Sequence, residues 1–124
     1  MNIYELQSRY AAGQRNFSKL NFIAVHLRSV NLQDVNFRGA NLTSANLSYA
    51  NLSGVDFRDA ELKNVNFSNA NLSQANFTGA SLVGANLTHA DLTEANLTQA
   101  NLSEVNWDQA CLSRVKMPES QKSK

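Results

Sequence analysis

The chain has 124 residues, the size of one domain, and 11 Lys and Arg nearly cancel 10 Asp and Glu. That balance argues against a task of holding DNA phosphates, which needs a basic excess, and against DNA mimicry, which needs a large acidic one. The single Cys111 excludes an internal disulfide framework and fits a reducing compartment, and no apolar run approaches the roughly 18 residues of a membrane-spanning helix.

The N-terminal stretch MNIYELQSRYAAGQR places its arginines last, against the basic-then-apolar order of a signal peptide. A cytoplasmic location is therefore expected. Residues 2–14 carry helix signals. Asn2 can cap, Glu5 follows at capping-box spacing, and Gly13 is a C-terminal stop. Ile3, Leu6 and Tyr10 fall on one face. So short a helix is unstable alone, so this stripe is expected to dock on the open top of the region that begins at residue 16, giving a capping unit over residues 1–15.

From residue 16 to 117 a period of five takes over. Each unit has a large apolar centre, beginning with Phe17, Phe22 and Leu27 and ending with Leu112 and Met117; all 21 centres are apolar. Two residues before the centre stand 12 Ala, 7 Val and the early exceptions Arg15 and Leu20. One residue before it stand 14 Asn and 2 Asp, the departures being His26, Glu61, Ser81, Cys111 and Lys116. The two positions after the centre are variable and mostly polar. A period of five is neither helix nor plain strand. Two apolar residues spaced by two can share one side of an extended segment, and a corner can carry the polar remainder. Repetition of such units predicts a β-solenoid.

Four of the six Phe (Phe17, Phe37, Phe57 and Phe77) are spaced by 20, and aromatic rings gain by stacking on one another. This spacing implies coils of 20 residues with four sides, about five in number and on the order of 25 Å long at ~4.8 Å per coil. Besides the Phe column, the expected internal ladder includes Leu42 and Leu62, Leu47 and Phe67, and Leu52 and Leu72. Ala beside each large residue avoids overpacking of a narrow tube. Corner Asn can bond backbone groups that the corner leaves unpaired, or one another along the stack. Residues 118–124, PESQKSK, read as a disordered polar tail.

With its Ala-(Asp/Asn)-Leu-x-x frame, as in NLTSANLSYANL from Asn41 to Leu52, the chain resembles the pentapeptide repeat family. RYAAGQRNF, from Arg9 to Phe17, is similar to the start of small cyanobacterial-type members, where a short helix caps the first coil. The resemblance implies an all-β fold, a right-handed quadrilateral β-helix, and no general enzymatic activity. It also implies two alternatives for function: a protein-interaction or scaffold module, or a DNA-mimicking protein that binds gyrase or another topoisomerase.

The residues themselves offer no catalytic constellation. His26 and His89 are about three coils apart, roughly 14 Å at strand spacing, too far to share a metal. Cys111 has no His placed to activate it. Asp56, Asp59 and Glu61 are interleaved with Arg58 and Lys63, which describes a self-neutralised face. No cofactor or metal is expected. The chain carries no charge from Asn64 to Ala90, unlike a DNA-like surface. A protein partner is expected, with neither nucleic acid nor membrane, and the candidate contacts are Arg28, Arg38, Tyr49, Arg58 and His89. At the C-terminal end, Leu102, Trp107, Leu112 and Met117 would be left uncovered. A second copy, another partner or the folded-back tail could each close that edge.

Overall fold

The computed structural model describes residues 1–119. The helix named among the described residues is α1 (Ile3–Ala11), shorter at both ends than the 2–14 span that the sequence predicts. The Asn2 side chain accepts a bond from the Glu5 N–H at 2.9 Å, the N-cap geometry. Leu6 is fully buried, and Ile3 and Tyr10 pack half-buried on the core.

The rest is a β-helix. Parallel bridges join each corner residue to the one 20 positions on, from Asn16 with Asn36 to Asn96 with Lys116. A corner occurs every five residues, so four sides separate bridged partners. Each side contributes one bridging residue and not a run of strand, because a turn comes within two residues. The extended sides of the sequence reading are thus single points of contact, and the fold is all-β in its ladders only.

The centres fill the interior. Phe17, Phe37, Phe57, Phe77, Leu42, Leu62, Leu47, Phe67, Leu52 and Leu72 are all 0% exposed. In the Phe column, ring centroids are 6.3 Å apart between Phe17 and Phe37, 5.7 Å between Phe37 and Phe57, and 5.1 Å between Phe57 and Phe77. The last two pairs lie within 14° of parallel. Phe67 meets Phe57 edge-on at 5.7 Å. The Ala and Val positions from Val35 to Ala95 are buried between these large residues.

The backbone accounts for itself unit by unit. In Asn76–Ala80, the Asn76 N–H donates to Val55 O at 3.0 Å, in the coil before. The N–H groups of Phe77 and Gly79 donate to Asn96 O and Thr98 O in the coil after, at 2.7 and 3.0 Å. The Ala80 N–H closes a turn onto Phe77 O at 2.9 Å. The fifth donor, Thr78 N–H, has no backbone acceptor, and Asn76 Oδ1 takes it at 3.0 Å. A buried orphan donor would cost about 1–3 kcal/mol, so the corner amide is a cap built into each unit. Such caps occur wherever the corner is Asn or Asp. The bond runs within a unit, and among the described residues no corner Asn side chain bonds another, so the expected amide ladder along the stack is not formed.

The turn imposes strain. The second residue after each centre from Phe17 to Leu112 has φ between 55 and 72°, in non-glycine residues as well as in Gly39, Gly54, Gly79 and Gly84. That is the left-handed region a type II turn requires at its third position. Glycine enters for a second reason as well. A Cβ on Gly54 would collide with the Asp34 carboxylate oxygen from the coil before, and Gly79 and Gly84 lie in the same way beneath Asp59 and Asn64.

Candidate interaction surface

A filled interior leaves the outward positions to carry any recognition. The two ends differ. At the top, α1 and the residues flanking it stand in for part of a preceding coil. The Met1 amino group donates to Asn21 O at 3.1 Å, Tyr10 Oη to Gln33 O at 3.1 Å, and Gln14 Nε2 to Asn16 O at 2.8 Å. Arg15 donates to Tyr10 O at 2.9 Å and stacks its guanidinium 3.6 Å from the Tyr10 ring centroid. Polar side chains thus satisfy carbonyls that a preceding coil would have taken, a role the apolar stripe did not announce.

At the other end Leu102, Trp107 and Met117 are half-buried and Leu112 is 41% exposed. Among the described residues, the N–H groups of Leu102, Glu104, Trp107, Gln109, Leu112 and Arg114 have no acceptor; a further coil would supply one for each. Pro118, the first residue of the expected disordered tail, is buried. Residues 120–124 of that tail lie outside the described residues. Pro118 occupies the position whose N–H needs a corner cap, and the corner there is Lys116, which cannot accept. Proline removes the donor that lysine could not satisfy.

The side faces carry the candidate contacts. Arg58 forks onto Asp56, donating from Nε at 3.0 Å and Nη2 at 2.8 Å. Partial burial pushes the Asp56 carboxyl up, but the Arg58 bonds and charge, aided by the Arg38 charge, more than reverse this and hold it below its ordinary value. Arg28 lies 4.7 Å from the Tyr49 ring centroid. Tyr49 is 53% exposed, with one contact of its ring already given to Arg28. Ser48, directly below Arg28 in its column, is 4% exposed. His89 is exposed, as is His26, which sits at a corner on the same side of the solenoid. Cys111 is exposed, with Sγ 3.4 Å from Thr93 Oγ1. Among the described residues no His, Cys, Asp and Glu cluster could hold a metal, and no helix is long and apolar enough to cross a membrane.

Arg38 and Arg58 are one coil apart in one column, yet their surroundings differ. Arg58 is tied to Asp56, whereas Arg38 has no ion pair among the described residues. A groove of about 540 Å³ opens beside Arg38, lined by Ser18, Lys19, Asn36, Arg38, Gly39 and Asp59. Lys19 is not among the sequence candidates. Its place beside Arg38 is a consequence of the 20-residue coil, but the groove depends on the bare backbone of Gly39 between them.

A family profile described as pentapeptide repeats matches residues 21–59, 60–99 and 80–117, in 8 copies. A pentapeptide repeat protein (Rfr23) from the cyanobacterium Cyanothece 51142 is 25% identical with a TM-score of 0.57, over 94% of this chain and 96% of its own. A pentapeptide repeat protein of the Arabidopsis thaliana thylakoid lumen is 32% identical with a TM-score of 0.59, over 69% of this chain and 63% of its own. QnrB1, a plasmid-mediated fluoroquinolone resistance protein, aligns at 27% identity over 87% of this chain and 60% of its own, with a TM-score of only 0.39. No match was found among curated protein sequences. The likeness to the first two extends the fold to a right-handed β-helix.

Proposed function

Because the chain belongs to the pentapeptide repeat family, we propose that it is a non-enzymatic protein-interaction or scaffold module, cytoplasmic, built of about five four-sided coils. The observation that carries this reading is the inside-out division of labour. From Phe17 to Leu97 every centre is at most 1% exposed, and among the described residues no buried side-chain nitrogen or oxygen lacks a partner. The interior is committed to folding, and an open polar surface suits a partner better than a substrate, which needs a concave site.

Affinity capture with the intact protein from its native cell tests the proposal; a specific protein recovered at near-stoichiometric yield is expected, and its repeated absence would overturn the reading. The DNA-mimic alternative has less support, because the described charges are mixed in sign and the belt from Asn64 to Ala90 is neutral. Gyrase supercoiling should proceed unchanged in the presence of the protein; inhibition would favour the mimic.

The part-exposed apolar residues at the C-terminal end, and the N–H groups there that have no acceptor among the described residues, support association with a second copy. Light scattering should then give a dimer, and a monomer at high concentration with a buried Trp107 indole would favour closure by the tail.

A further inference from the structure

Among the side faces, one groove stands out by what its side chains are not doing. Elsewhere several hydroxyls of the repeat, and every other arginine, are engaged within the chain. The hydroxyls of Ser48, Ser53, Ser73 and Thr78 each donate to their own corner Asn. Arg58 is forked onto Asp56, Arg28 is on the Tyr49 ring, Arg15 is on Tyr10, Arg9 is 3.6 Å from Glu5, and Arg114 is 3.6 Å from Glu94. Arg38 is the exception among the arginines, and it lies in a groove with other unengaged donors. Among the described residues, the Lys19 ammonium, the Arg38 guanidinium, the Asn36 amide nitrogen and the Ser18 hydroxyl have no protein partner, although all four line the same 540 Å³ space.

This is a set of donors with two positive charges. Its floor is open because Gly39 has no side chain; a Cβ there would press on Lys19 Cγ at 3.3 Å. A guanidinium matches the two oxygens of a carboxylate or phosphate, and the ammonium adds a point charge. The opposite rim is acidic. Asp59 lines the groove, and Asp56 lies one coil below Asn36 in the corner column, bound to Arg58. A nucleic-acid backbone entering at Arg38 would meet these carboxylates with its next phosphates, and like charges repel. A peptide can place a carboxylate against Lys19 and Arg38 and an N–H or a basic group against Asp59.

We propose that the groove formed by Ser18, Lys19, Asn36, Arg38 and Gly39 is the docking site for an acidic side chain in an extended segment of a partner protein. This assignment rests on the interaction-module reading and gives it a location. It narrows the sequence candidates to Arg38, adds Lys19, and removes Arg58 and Arg28, whose charges are already engaged.

The test is titration of the full-length protein with a fluorescent peptide carrying an Asp-Glu run, beside a matched Asn-Gln peptide and inorganic phosphate. Binding of the acidic peptide, weakened by added salt, is expected. Lys19→Gln and Arg38→Gln should each weaken it roughly threefold, the scale of an exposed charge pair, and about tenfold together. Lys63→Gln, on another side, should leave it unchanged. Circular dichroism of each variant checks that the exposed substitutions leave the fold intact. No binding by the wild-type protein, equal binding of the Asn-Gln peptide, a response to phosphate alone, or indifference to both substitutions would overturn the assignment. Any of these results combined with successful partner capture by the Arg38→Gln protein would leave the module reading standing and remove only the groove.

Discussion

Phe57 sits in the middle of the stacked ring column. Its ring is 0% exposed and touches three others: Phe37 at 5.7 Å, Phe77 at 5.1 Å and Phe67 at 5.7 Å. Phe57→Ala removes a ring that buries on the order of 150 Å², worth about 4 kcal/mol at ~25 cal/mol per Å². The coils above and below hold their register through backbone ladders, so the cavity cannot collapse freely, and a total of ~3–5 kcal/mol is expected. That is a large share of a typical stability of ~5–15 kcal/mol. Urea titrations of the two proteins, followed by circular dichroism, should show a lower midpoint with the slope unchanged. Leu112→Ala, at a centre already 41% exposed, is the control and should cost about 1 kcal/mol or less. If Phe57→Ala and Leu112→Ala cost the same, the argument from ring stacking in a closed tube is wrong.

Asn76→Ala leaves the Thr78 N–H and hydroxyl without their shared acceptor and should cost ~1–3 kcal/mol in the same unfolding assay. Gly54→Ala should destabilise by more than the ~1–2 kcal/mol of a left-handed non-glycine residue, because the Asp34 carboxylate lies over it; Asp34→Ala in the same chain should recover the excess. Asp56 has a depressed folded-state pKa, so its stabilising contribution is complete above the unfolded value of about 3.9 and is lost as pH falls through the depressed one. Carboxyl NMR should show Asp56 titrating below ordinary aspartates, and Arg58→Gln should move that titration up. Arg38→Thr should raise stability by about 0.5–1.5 kcal/mol through a new hydroxyl bond to Asn36 Oδ1 while weakening acidic-peptide binding.

The fold was legible because its strongest signals are local and repeated. An apolar centre every fifth residue is visible without any knowledge of three dimensions, and Phe17, Phe37, Phe57 and Phe77 supply the coil length. The helix could be read from Asn2, Glu5 and the stripe of Ile3, Leu6 and Tyr10. Other features appear only in the folded structure. Asp34 over Gly54, Asp59 over Gly79 and Asn64 over Gly84 are 20-residue pairs, present in the sequence but meaningful only once the turn residues are known to stack. That a left-handed φ falls on Tyr49, His89 or Glu94 is hidden, since these residues give no turn signal. The difference between Arg38 and Arg58 was also hidden. Both sit in one column and come after acceptor-bearing corners, but Asp56 holds an arginine with a charge and Asn36 does not.

That difference shows where information about partners can reside in such a molecule. The position directly after the centre donates its N–H to an Asn or Asp corner, and Ser or Thr there can add a hydroxyl to the same oxygen, as Thr93 and Thr98 do to Asp91 and Asn96 at 2.6 Å. A hydroxyl is therefore what folding alone selects. From residue 68 to 113 the position is Ser or Thr in every unit except Val83 and Asp108. Earlier it is Ile23, Arg28, Gln33 and Arg38 in succession, which wraps once around the N-terminal part of the solenoid, and then Arg58 and Lys63. Each of these gives up a hydroxyl bond worth about 0.5–1.5 kcal/mol where the corner could accept it. Arg58 regains it through its fork with Asp56, while Arg28 and Lys63 follow His26 and Glu61, where no corner bond forms, and Arg28 is engaged with Tyr49. Arg38 alone among the arginines of this column forgoes the bond at an accepting corner and takes no other in exchange. A stability cost left uncompensated within the chain is what a contact made outside the chain would explain.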